Sequence, residues 1–255
     1  MFRGLRLHLH PGAACNREVA WRRRMTIYRL FEEPVFPDPA EADPDGLLAI
    51  GGDLSPERLV AAYAGGIFPW YAENSPILWW SPDPRLVLEP AALHVPTSLR
   101  RVLNACGYGF SLDCAFSQVI SACARTPRPG QNGTWIVPEM LTAYERLHQL
   151  GLAHSAEVWS GERLVGGVYG VALGSVFFGE SMFYAEKDAS KVAFVLLARW
   201  LAAKGCSLID CQQTTPHLQR FGAQEISRLE FLRRLNIGLE SPALSGKWSP
   251  GRINT

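Results

Sequence analysis

The run between Gly46 and Arg85 constrains this chain more than any other stretch. It reads Gly46-Leu-Leu-Ala-Ile-Gly-Gly-Asp-Leu-Ser55, then Gly65-Gly-Ile-Phe-Pro-Trp-Tyr71, then Trp79-Trp-Ser-Pro-Asp-Pro-Arg85. Glycine opens backbone angles that other residues avoid and proline fixes φ, so no long regular element fits here. Trp70, Tyr71, Trp79 and Trp80 must still be accommodated close together. The stretch predicts a small, irregular unit with a rigid aromatic surface, of the kind on which a nucleobase stacks. The plainer reading is that these rings fill the core of that unit.

The remaining composition bounds the problem. A chain of 255 residues, 47% hydrophobic and 19% charged, fits one large or two modest domains with a real core. No apolar run reaches the roughly 18 residues of a membrane helix. The six cysteines form no C-x-x-C pair and no zinc-ligand spacing, which predicts reduced thiols in a cytoplasmic protein and no metal or other cofactor. The net charge of +1 hides an asymmetry, because residues 1–25 hold six Arg against Glu18 alone. The rest of the chain is slightly acidic, so contact with nucleic acid should be local and not spread along a duplex. The arm itself, with Arg22-Arg23-Arg24, reads as an RNA-binding segment, a transit peptide or an upstream extension. The last is favoured, because Met25 opens Met-Thr-Ile-Tyr-Arg-Leu into a first strand.

Patterning divides the chain into that basic extension (1–25), a small N-terminal domain (26–84), a larger domain (85–240) and a loose tail (241–255). Ser55-Pro56-Glu57 is a helix start and Gly65-Gly66 its stop. Leu86–Glu89 reads as a strand, and Ser98–Leu103 and Cys114–Ala124 as helices. Pro138 opens a further helix carrying Met140, Leu141, Tyr144 and Leu147 on its apolar side. Ala153–Trp159, Arg163–Ala172 and Ser175–Met182 are three strands separated by hairpin turns. A helix from about Asp188 to Lys204 is apolar nearly all round and therefore buried. Ser207–Gln212 returns as a strand. Mixed α/β (α+β) architecture follows, and its meander–helix–strand order resembles the core of the GNAT acyltransferases, which by itself gives no function.

Two polar intrusions stand out. Strand alternation places Asp210 and Gln212 on one face, with Ile209 and Cys211 on the other. Glu180, after Phe177-Phe178-Gly179, is costly to bury without a partner, and Lys191 is the plain ion-pair candidate. Cys211 with His217 is a weak case for a thiol nucleophile, and His148 and His154 read as structural.

Phe178-Gly-Glu-Ser-Met182, Ile209-Asp-Cys-Gln212, Gly66-Ile-Phe-Pro-Trp70 and Gly133-Thr-Trp-Ile136 together resemble the bacterial leucyl/phenylalanyl-tRNA–protein transferases, over about residues 26–235. The resemblance implies catalytic Glu180, Asp210 and Gln212, and Trp70 and Trp135 holding the terminal adenosine of the tRNA. It implies an apolar pocket for the donor side chain at Val168, Phe177, Phe194, Leu197, Leu201 and Ile209. Candidate phosphate contacts are Arg85, Arg100, Arg101 and Lys191. The implied partners are Leu-tRNA and Phe-tRNA as donors, with Met a further donor side chain, and proteins with N-terminal Arg or Lys as acceptors, thereby marked for N-end-rule degradation. Asp210 and Gln212 would orient the incoming amine, with Asp210 relaying its proton, while Glu180 would hold the acceptor's cationic side chain or the amine.

Two other readings compete. An acetyl-CoA enzyme of the GNAT type needs a Q/R-x-x-G-x-G/A loop after the meander, where this chain has Ser181-Met-Phe-Tyr-Ala-Glu-Lys-Asp188 without glycine. An inert tRNA- or N-terminus-binding protein would have no chemical use for Glu180, Asp210 and Gln212.

Overall fold

The computed structural model describes residues 27–105, 107–126, 136–248 and 251–253. The basic extension and Trp135 lie outside them. The aromatic stretch builds a four-stranded sheet from β1 (Tyr28–Leu30), β2 (Leu47–Gly51), β3 (Phe68–Pro69) and β4 (Leu78–Trp80), in the order β1-β2-β4-β3. Between β2 and β3 runs α1 (Pro56–Ala64), with Ser55 accepting the Arg58 N–H and Pro56 in the first turn, as its sequence requires. Gly66 then takes φ +71°, and a Cβ there would lie 2.7 Å from Leu232, so the turn into β3 admits only glycine.

An eight-stranded sheet follows. Its strands are β5 (Arg85–Leu88), β6 (Gly109–Leu112), β7 (Ala153–Ser160), β8 (Arg163–Leu173), β9 (Val176–Tyr184), β10 (Leu208–Gln212), β11 (Gln224–Ile226) and β12 (Gly251–Ile253). Their order is β11-β5-β10-β9-β8-β7-β6-β12. β7, β8 and β9 are an antiparallel meander, and β10 joins β9 in parallel. The helices are α2 (Thr97–Ala105), α3 (Phe116–Arg125), α4 (Pro138–Gln149), α5 (Ala189–Ala203), α6 (Pro216–Gln219) and α7 (Arg228–Leu239).

Each face of the large sheet has its own apolar cluster. On one, α5 buries Val192, Phe194, Leu197 and Leu201 against Val168, Phe177 and Ile209. That helix is the crossover between β9 and β10, and its near-continuous apolar surface fits a position between sheet and flanking helix. On the other face, α1, α3, α4 and α7 pack with Tyr169, Val176 and Phe178, and the cluster continues into Leu48, Tyr63 and Trp79 of the aromatic unit. The small sheet therefore shares a core with the large one. Trp79 is fully buried, with its indole N–H on the Gly51 carbonyl at 2.8 Å, so this ring belongs to the core.

The tail expected to be loose is packed. Leu244 is 2% exposed and Trp248 7% exposed. The Trp248 ring stacks on His154 at 3.8 Å and lies 4.5 Å from the Trp200 ring, and β12 closes the edge of the sheet beside β6. The sequence signal was weak because two apolar residues four apart set no period. Replacing Trp248 with Ala should lower unfolding free energy by about 3 kcal/mol in urea titrations, the cost of emptying a buried indole site. Lys247→Ala, at an exposed neighbour, should change it by less than about 0.5 kcal/mol.

Candidate active site

A cavity of about 360 Å³ opens between the aromatic unit and the large sheet. Phe68, Trp70, Val168, Phe177, Phe194 and Ile209 give it apolar walls, and Glu180, Gln212 and His217 line it with polar groups. Four of the six residues expected in the side-chain pocket are therefore there. Leu197 and Leu201 are not: both are fully buried in the layer behind, where α5 turns them into the core. Trp70 is on the wall, its ring edge-on to Trp80 at 5.6 Å, and the Trp80 indole N–H donates to its carbonyl at 2.7 Å.

Backbone irregularities present both polar groups of the floor. Across β8 and β9, Tyr169 pairs with Ser181 and Gly170 with Gly179, which leaves Glu180 unpaired as a bulge. Across β5 and β10, Asp210 pairs with Val87 and Gln212 with Leu86, so Cys211 is the extra residue. Gln212 takes φ +61°. This breaks the expected alternation. Ile209, Cys211 and Gln212 all reach the cavity wall, whereas Asp210 points away from it and is 0% exposed.

Asp210 faces Arg85. The guanidinium Nε donates to Oδ1 at 2.9 Å and Nη2 to Oδ2 at 2.7 Å, and the Gln212 N–H also donates to Oδ1 at 2.9 Å. Arg85, expected at a phosphate, is fully buried: Nη1 donates to the Gly66 carbonyl at 3.1 Å, and the group lies over Phe68 and Phe231. The start of a strand looked exposed in sequence because its partner lies 125 residues on. Arg100 and Arg101 are exposed on α2, and Lys191 is engaged by Asp188 and not by Glu180.

Glu180 is held by neutral donors instead. The Gln212 amide donates to Oε1 at 2.7 Å and the Tyr144 hydroxyl to Oε2 at 3.2 Å, while Tyr144 shares a short hydrogen bond with Tyr63. Burial raises the Glu180 carboxyl to about 7; the bonds from Tyr63, Tyr144 and Gln212 oppose that shift and nearby Asp210 adds to it. Burial drives both tyrosines well above their ordinary value, so they stay protonated donors. The two tyrosines are the site residues that sequence reading left on apolar helix faces. Their signal was a hydroxyl on a buried face, which needs a partner.

The Cys211 thiol touches the cavity, but burial raises it far above the neutral range, so it is no nucleophile. Burial lowers His217, and neighbouring Lys191 and Arg220 lower it further. His148 and His154 gather around Asp113, away from this cavity. Among the described residues no group of three or more His, Cys, Asp or Glu could hold a metal ion, and no helix is long and apolar enough to cross a membrane.

The cleft combines apolar room for a side chain with a hydrogen-bonding floor, which suits transfer of an acyl group that carries such a side chain. Residues 87–236 match the family model for leucyl/phenylalanyl-tRNA protein transferase, and residues 52–83 match the model for the N-terminal domain of the same family. The protein is thus an aminoacyltransferase. A leucyl/phenylalanyl-tRNA–protein transferase of Anaeromyxobacter sp. (strain K) is 63% identical over 89% of this chain and 97% of its own. One of Nitratidesulfovibrio vulgaris (strain DP4) is 60% identical over 88% and 96%. This chain belongs to the leucyl/phenylalanyl-tRNA–protein transferase family. Among solved structures, L-PGS from Bacillus licheniformis aligns at 14% identity and TM-score 0.40 over 67% of this chain and 55% of its own, too distant to bear on the site.

Two measurements check this geometry. Arg85→Met should destabilise the protein by about 3–5 kcal/mol by stranding the Asp210 charge, and adding Asp210→Asn should recover much of that loss. Glu180 should make stability pH-dependent. Its folded value of about 7 lies above the ordinary 4.5, so its contribution is complete below about 4.5 and is lost as pH rises through 7. Glu180→Gln should therefore gain stability relative to the parent between pH 4.5 and 7 and hold a constant advantage above, in urea midpoints. Glu157, also raised to about 7 by burial, is present in both proteins and cancels in the difference.

Proposed function

We propose that this enzyme transfers Leu or Phe, with Met a further donor side chain, from aminoacyl-tRNA to the α-amine of cytoplasmic proteins that begin with Arg or Lys. The observation that carries this reading is the hydrogen bond between buried Glu180 and half-buried Gln212 at the floor of an apolar cavity walled by Val168, Phe177, Phe194 and Ile209. In it the donor side chain occupies the apolar end and the terminal adenosine stacks on Trp70, with Trp135 as its second platform.

The reaction needs placement more than a strong base. The ester is already activated, and an α-amine of pKa about 7.7–8.0 is partly neutral near pH 7. Gln212 Nε2 is committed to Glu180, which leaves its amide oxygen to accept one N–H of the amine. Ionised Glu180 accepts a second hydrogen bond, or removes the extra proton when the acceptor arrives as an ammonium. The nitrogen then bonds to the ester carbonyl carbon and the bond to the ribose oxygen breaks. One proton leaves the amine and one arrives on that ribose oxygen, with the vicinal hydroxyl as carrier. Asp210 acts from behind: its carboxylate, neutralised by Arg85, fixes the backbone that aims Gln212. It is a positioning residue in this scheme, and the expected direct contact with the amine is abandoned because the group has no exposed surface.

The test is incubation with Leu-tRNA and a peptide beginning with Arg, followed by mass spectrometry. A product one leucine residue heavier supports the reading. Acetylation from acetyl-CoA without aminoacyl transfer would refute it. Gln212→Ala should reduce kcat by about 10²-fold or more with little change in donor KM, because it removes orientation of the amine. The kcat of the parent should rise through an apparent pKa near 7 that Glu180→Gln abolishes.

A further inference from the structure

A second depression, of about 490 Å³, is lined by Tyr71, the residue next to Trp70 of the cavity just described. Its walls carry Asp53, Glu73 and Glu139, with Ile77 and Val137 as apolar lining. Asp53 is paired with buried Arg58, whereas Glu73 and Glu139 are exposed and have no ion-pair partner among the described residues. Tyr71 also lines this groove, and the residue is only 8% exposed. Its hydroxyl has no hydrogen-bond partner among the described residues, although burial and the adjacent Glu139 keep it protonated. A largely buried tyrosine whose hydroxyl opens on the groove, with Glu139 close enough to raise it and Glu73 on the same wall, presents acceptors that a cationic donor would satisfy.

We propose that this groove receives the guanidinium or ammonium of the acceptor's N-terminal Arg or Lys, and thereby sets acceptor specificity. The proposal rests on the aminoacyl-transfer reading above. Tyr71 directly follows Trp70 of the donor wall. Glu139 stands in the first turn of α4, and Tyr144 of the same helix links groove and site: it donates to Glu180 and lies close enough to Tyr71 for the two to interact electrostatically. In this reading the basic side chain runs past Trp70 and Tyr71 into the groove while its α-amine sits at Gln212 and Glu180. Glu180 is engaged by Gln212 and Tyr144 and, in the scheme above, by the α-amine, which leaves the side chain to a separate acidic partner. The groove supplies what a guanidinium needs: carboxylates for its N–H groups, a phenolic oxygen as acceptor and an aromatic face.

The test compares two peptides that differ only in N-terminal Arg or citrulline, its uncharged near-isostere, with Leu-tRNA saturating. The parent should favour Arg. In Glu73→Gln/Glu139→Gln the Arg-to-citrulline ratio of kcat/KM should fall roughly fivefold or more, the scale of two partly exposed charge pairs. The loss should appear in KM for the Arg peptide, with kcat, donor KM and the citrulline peptide unchanged. Tyr71→Phe, which keeps the ring, should lower the ratio by a smaller factor. An unchanged ratio, including equal loss on both peptides, would overturn the proposal while leaving the transfer reading intact. Failure of the parent to modify either peptide would instead remove the transfer reading, and the proposal with it.

Discussion

Everything in the catalytic cleft hangs on the Arg85–Asp210 pair. Neither charge is accessible to water, so each is tolerable only because the other is there in bidentate geometry. Arg85 also binds the carbonyl of Gly66 and lies between the rings of Phe68 and Phe231, which ties the small sheet and α7 to the centre of the large sheet. Asp210 passes that rigidity on to the Gln212 backbone. An apolar replacement of both groups would cost less desolvation, but nothing would then hold Gln212 in its left-handed conformation at the cavity floor. The pair serves placement more than stability.

Regular strands would not make this site. In flat pairing, side chains alternate between the two faces and neighbouring strands offer matching rows. Here β9 and β10 each carry a bulge at the level of the cavity, and Glu180 and Gln212 come within 2.7 Å of each other as a result. Gly170 and Gly179 pair across the first bulge; a Cβ at Gly170 would meet the Phe178 carbonyl at 2.2 Å, so the backbones close only without a side chain there. Burial beneath the cavity then does chemical work. It holds the Glu180 carboxyl near the ordinary value of an α-amine, where both donating and accepting a proton cost little.

Much of the fold was legible because its signals are local. The Ser55-Pro56 start, the hairpin turns at Ser160-Gly161-Glu162 and Leu173-Gly174, and the apolar surface of α5 each follow from a few adjacent residues. The packed tail was not legible, because Trp248 finds its place through His154 and Trp200, neither of them near it in sequence. Leu197 and Leu201 illustrate a related limit. Both lie on the helix that backs the cavity, but helical rotation decides which residues face the opening and which face the core, and a surface apolar all round leaves that rotation unmarked.

The sequence by itself determined the family, the element order and the chemical types at the site, since Glu180, Gln212 and Trp70 sit in short motifs whose composition no ordinary strand or loop needs. Tertiary structure decided what those groups do to one another. It turned Asp210 inward to Arg85, brought Tyr63 and Tyr144 from two helices onto Glu180, and placed Tyr71 beside Glu139. The physical reason is that charge state and access depend on desolvation and on partners distant in the chain. Alternation along a strand assigns faces only while the strand stays regular, and at Gln212 it does not.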